Sequence, residues 1–100
     1  MILARVCGQV VSTRKSENLE GFKILIIQPL DMETIEPKGA PVVSLDKVGA
    51  GEGEVVVAVS GSSARQTKQT DAKPTDNSIV AIVDSVNING VCTFKKEDDK

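Results

Sequence analysis

The runs 55-VVVAV-59 and 79-IVAIV-83 are short, rich in β-branched residues, and bounded by Gly, Ser, Asn and Asp. Val and Ile crowd the pleated surface of a strand well, and flanking turn formers limit the run to strand length. Neither run alternates apolar with polar residues, and 24-ILII-27 behaves in the same way. Successive side chains on a strand point to opposite faces, so these three strands are apolar on both sides. Working outward, similar signals place strands over 2–12, 23–30, 41–45, 54–60, 78–86 and 91–94. Asn89-Gly90 within 87-NING-90 predicts a tight hairpin between the last two. The only stretch suited to a helix is one or two turns within 62–68, capped by a small residue.

This pattern predicts an all-β domain: a small OB-like five-stranded Greek-key barrel with one short helix and a terminal hairpin. The 100 residues fit one domain, with residues 1–95 as the barrel and 96–100 as a charged, solvated tail. A small barrel has one interior. The outer faces of the two-sided strands therefore need a cover, and a second copy of the chain is the simplest one.

Composition excludes several functions. There is no histidine, hence no imidazole base, no Ser-His pair and no His-ligated metal. The net charge of −2 and an aromatic content of 2% disfavour a single-strand nucleic-acid surface, which needs a basic groove and stacking rings. That OB-module reading is the alternative function, and a small enzyme using Cys7 or a carboxylate pair is a third. No cofactor or metal is expected. Cys7 and Cys92 form no CxxC pair and sit in or beside apolar runs, which predicts two buried thiols in a reducing compartment. The start MILARVCGQVV lacks signal-peptide character and no run reaches membrane-span length, so a cytoplasmic protein with no membrane partner is expected.

Two loops invite a chemical reading. Ser60-Gly61-Ser62-Ser63-Ala64-Arg65 lacks the GK[ST] ending of a P-loop and the G-x-S-x-G of a nucleophile elbow. It reads as a tight corner packed closely by something else, with Arg65 serving as a carboxylate or carbonyl partner. Gly49-Ala50-Gly51-Glu52-Gly53 reads as a tight turn or a backbone that must approach a neighbour. Asp31, Asp46, Asp71, Asp76 and Asp84 are scattered, and most read as turn formers. Asp84 ends an apolar strand, which suggests a buried or interfacial pair with Arg65 or Arg5.

The stretches 1-MILARVCGQVVST-13, 23-KILIIQPLD-31, 46-DKVGAGEGEVVVAVSGSSAR-65 and 74-PTDNSIVAIVDSV-86 together resemble the EutN/CcmL family of bacterial microcompartment vertex proteins. The resemblance implies a structural, non-enzymatic role: a homopentameric ring capping the vertices of a shell otherwise tiled by hexameric shell proteins. It implies that Gly49, Ala50, Gly51, Ser60, Gly61, Ser62, Ser63 and Arg65 lie at a subunit contact or pore rim. Asp84 joins them on the pairing argument above. The residues alone do not distinguish a pentamer from a hexamer.

Overall fold

The computed structural model describes residues 1–11, 22–60 and 77–98. Among these residues there are seven strands: β1 Ile2–Gln9, β2 Lys23–Pro29, β3 Val42–Asp46, β4 Val55–Ser60, β5 Asn77–Ile82, β6 Ser85–Ile88 and β7 Val91–Lys95. A 3-10 turn, Lys96–Asp98, follows β7. The expected helix within 62–68 lies outside the described residues. The first five strands close a barrel in the order β1-β2-β3-β5-β4, while β6 and β7 form a separate two-stranded sheet. All barrel pairings are antiparallel except β3–β5, which is parallel. Closure removes the exposed edges that an open sheet of this size would carry.

Ala4, Val6, Leu25, Ile27, Ala50, Val56, Ala58 and Ile79 fill the barrel. Small and large side chains face each other across β1 and β4, Ile2 opposite Ala58 and Ala4 opposite Val56. That alternation is what a narrow interior requires, because two large residues at one level would not fit.

The run predicted as one strand over 78–86 is two strands separated at Val83-Asp84. The Val57/Ala58 register break pairs them with Ala81 and Ile79, leaving Val80 as the extra, bulged residue. A bulge shifts the side-chain parity, so Ile79 and Ile82 both pack on the barrel core although they are three residues apart. The missing alternation in 79-IVAIV-83 is therefore largely met within one chain, with Val80 left 38% exposed.

The expectation of a second copy as the simplest cover of the outer faces is corrected for β4 as well. Leu3, Leu30, Val55 and Phe94 form a second buried cluster, joined by Ile35, Val57, Val83 and Val86. The β6–β7 hairpin and the turn after β2 thus lie over the outside of β1 and β4. The hairpin turns at Asn89 and Gly90, whose φ values of 51° and 80° are those of a type I′ turn.

The two thiols are a further correction. Cys7 and Cys92 are both free and exposed, not buried. Ala4 and Val6 point into the barrel, so plain alternation along β1 already turns Cys7 outward, and the bulge at Cys7 puts Gly8 on the outer face too, opposite Ile26.

Candidate assembly site

The segment 46-DKVGAGEGE-54 carries β3 into β4, and buried charge organises it. Asp46 ends β3 opposite Lys23 of β2. Its side chain has no exposed surface, and its two oxygens accept the Val48 and Ala50 N–H groups, each at 3.0 Å. Lys23 Nζ lies 3.8 Å from the Asp46 carboxylate and donates to the Ala50 carbonyl at 2.9 Å. A buried carboxylate is tolerable only with such partners. Gly49 takes φ 87°, a left-handed conformation that favours glycine, and this directs Ala50 into the barrel core.

The second half of the turn is held by Glu54. Gly51 N–H donates to Glu54 Oε1 at 2.6 Å, and Lys96 Nζ donates to Glu54 Oε2 at 2.7 Å. Gly53 N–H bonds the Val6 carbonyl at 2.8 Å, and Arg5 Nη1 donates to the Gly53 carbonyl at 2.8 Å. The Arg5 guanidinium also sits 5.9 Å from the Phe94 ring centre. Arg5, Glu52, Gly53, Glu54, Val55, Phe94 and Lys96 line a groove of about 660 Å³.

The electrostatics fix charge in place. The Lys96 hydrogen bond, then the Gly51 N–H, holds Glu54 below its ordinary carboxylate range. The Glu54 hydrogen bond chiefly raises Lys96, with a smaller contribution from Asp84. A general acid or base needs a pKa moved toward neutrality. These two groups move the other way, as a structural latch does. Among the described residues no cluster of three His, Cys, Asp or Glu side chains could hold a metal. No helix among them is long and apolar enough to cross a membrane. Phe22 and Phe94, the chain's only aromatic residues, are both buried, so the surface offers no stacking platform for bases.

The nine residues singled out from sequence do not all converge. Gly49, Ala50 and Gly51 lie in this turn, although the Ala50 side chain belongs to the protomer's own core. Ser60 is exposed at the far end of β4, about 17 Å away at ordinary strand rise. Gly61, Ser62, Ser63 and Arg65 lie outside the described residues. Asp84 is exposed, not buried, at the bend between β5 and β6. Its carbonyl accepts the Lys96 N–H at 2.8 Å, which brings it beside the turn through Lys96. Asp31 and Asp46 are turn formers as expected, Asp31 accepting the Glu33 and Thr34 N–H groups at 2.8 and 3.1 Å.

Sequence reasoning missed Lys23, Glu54 and Lys96. Lys96 falls in the segment that the sequence marks as a solvated tail, and no local pattern announces its partner 42 residues earlier. The spacing Gly51-x-x-Glu54 was the one available signal, since a side chain three residues on can reach back to a turn N–H.

Comparison with known proteins agrees with this fold. The family model described as ethanolamine utilisation protein EutN/carboxysome matches residues 1–84. The chain is 46% identical to the bacterial microcompartment shell vertex protein GrpN of Rhodospirillum rubrum, covering 86% of this chain and 96% of that one. It is 41% identical to the shell vertex protein EutN of Salmonella typhimurium over 96% of each chain. The structure of Gloeobacter violaceus CcmL superposes with a TM-score of 0.88 at 36% identity, covering 98% of this chain and 100% of that one. The GrpN pentameric microcompartment shell protein superposes at 0.77 with 43% identity, covering 88% of this chain and 99% of that one. With a family match across most of its length and the same closed barrel, this chain belongs to the EutN/CcmL family.

Proposed function

We propose that this protein is a non-catalytic shell component. Five copies close a ring that caps a vertex of a bacterial microcompartment in the cytoplasm, beside the shell's hexameric proteins. Relatives named as shell vertex proteins, and a pentameric one among the solved structures, support the reading. Residues 1–95 form the barrel unit, and Lys96 ties the following segment to it.

Within the protomer, Gly51 carries the assignment of the glycine turn to a subunit contact. Its φ is not in the left-handed region, and a Cβ there would meet only Glu54 Oε1, at an ordinary 3.5 Å. Nothing among the described residues demands glycine at this position, whereas the close approach of another backbone would. Gly49, Gly51, Ser60, Gly61, Ser62, Ser63, Arg65 and Asp84 are assigned to the contact or the pore rim. Ala50 supports the turn from below.

Native mass spectrometry tests the ring. Five copies of a 10.6 kDa chain give 53 kDa, and a monomer at micromolar concentration would end the reading. In cells, deleting the gene should give elongated or leaky compartments.

A further inference from the structure

Three runs in this chain lack alternation, and the protomer accounts for one of them and for most of a second. Val55 and Val57 of β4 lie under the Phe94 cluster, and the Val80 bulge turns Ile79 and Ile82 inward together. The third run, 24-ILII-27, has no such account among the described residues around Ile26. Leu25 and Ile27 fill the barrel, while Ile24 and Ile26 point outward and stay only half-buried. Val43 of β3 stands directly opposite Ile26 and is 54% exposed. Gly8 of β1 is opposite Ile26 on the other flank, and a Cβ there would come within 3.4 Å of Ile26 Cδ1. Gly8, Ile26 and Val43 thus make a low apolar row across three strands.

A second apolar exposure projects. Met32 is 59% and Val91 is 62% exposed. Thr93 Oγ1 donates to the Met32 carbonyl at 2.7 Å, which ties the turn after β2 to the hairpin that carries Val91. In that turn Ile35 is held at φ 60°, a conformation β-branched residues rarely adopt. The packing of Ile35 against the Leu3–Phe94 cluster offsets this strain. Met32 is therefore presented by a turn that is strained and anchored at once.

We propose, on the ring reading above, that the Gly8–Ile26–Val43 row of one copy receives the Met32–Val91 projection of the next. A ring uses heterologous contacts, so each chain must carry two different, complementary patches. A low row and a projecting pair are such patches. A standard contact covers about 800 Å² per partner. A protomer with two neighbours then gives up about a quarter of its 6290 Å², more than the glycine turn can supply, so the contact extends onto a sheet face.

Two measurements test this, in full-length protein carrying Cys7→Ser and Cys92→Ser so that the native thiols do not react. Val43→Cys combined with Val91→Cys, mildly oxidised, should give a covalent ladder from dimer to closed ring, while each single cysteine gives none. Val43→Lys, at an exposed position, should keep the protomer's circular dichroism and melting but lose the 53 kDa species in native mass spectrometry at micromolar concentration. A ring without either substitution, together with an intact Val43→Lys ring and no ladder, overturns this surface and leaves the ring standing. Dimers from Val43→Cys alone mean a face-to-face contact and overturn it too. A parent protein that is itself monomeric overturns the ring reading and this surface with it.

Discussion

The wholly buried Asp46 carboxylate accepts the Ala50 N–H at 3.0 Å, and through that bond β3 dictates how the glycine turn enters the core. Asp46→Ala removes the acceptor of two backbone N–H groups and leaves Lys23 without its carboxylate. The expected loss is about 2–4 kcal/mol. Asp46→Asn keeps one oxygen acceptor and should lose about half as much. Urea unfolding at fixed protomer concentration should rank the parent above Asn and Asn above Ala. Equal Asn and Ala stabilities would mean that the charge facing Lys23, and not the acceptors, carries the effect.

Gly49 and Gly51 should respond differently to the same change. Gly49→Ala forces a side chain into φ 87° and should cost the protomer about 1 kcal/mol. Gly51→Ala has room and ordinary backbone, so its protomer stability should stay within about 0.5 kcal/mol of the parent. Its ring should nevertheless weaken, as read by dissociation on dilution. A Gly51→Ala ring as stable as the parent would remove Gly51 from the subunit contact.

The Glu54–Lys96 latch has a pH signature. Glu54 is held below its ordinary 4.5, so the folded state binds fewer protons than the unfolded chain there. Its stabilisation is present above about pH 4.5 and is lost as pH falls through the depressed value. Lys96 is raised above 10.5, so its share is present below that pH and is lost as pH rises through the raised value. Thermal melting from neutral to acid pH should therefore show a shallower acid decline in Glu54→Gln than in the parent. Some decline should persist, because the Glu33 and Thr34 N–H groups hold Asp31 below 3.8 independently. An unchanged acid limb in Glu54→Gln would show that the latch forms equally in the unfolded chain.

Phe94 is the hairpin's anchor on the barrel, 6% exposed among Leu3, Leu30 and Val55. Phe94→Ala should cost about 3–5 kcal/mol. Amide exchange should locate the loss. The β6 and β7 amides should exchange much faster while the barrel strands stay protected, since a two-stranded hairpin is marginal without a surface to lie on. Uniform loss of protection would mean that the hairpin and the barrel unfold as one unit.

Much of this was legible because the signals were local. Asn89-Gly90 announced its turn, the Val and Ile runs announced strands, and Asp31 and Asp46 folded onto backbone a few residues away. The bulges at Cys7 and Val80 were not legible. A bulge is a mismatch between two strands, and neither strand alone contains it. The exposure of Cys7 was legible from alternation, since Ala4 and Val6 point inward, and it was the apolar run around the thiol that argued for burial. The hairpin's place over β1 and β4 depended on Phe94 meeting Leu3 across nearly the whole chain, so the apolar outer faces were assigned to a second copy when the chain covers most of them itself. The Gly61–Arg65 corner lies outside the described residues, and its role rests on the family.

The barrel's one parallel ladder joins Leu45 to Ser78 and Asp46 to Ile79, and no other pairing holds β3 to β5. During translation the sheet can curl as soon as β1, β2 and β3 emerge, but the cylinder cannot shut until residues beyond 79 have left the ribosome. Until that moment β3 displays a raw edge to every other nascent chain nearby. The last seam to close is also the shortest, with two residue pairs, which makes it the natural place for a finished protomer to breathe.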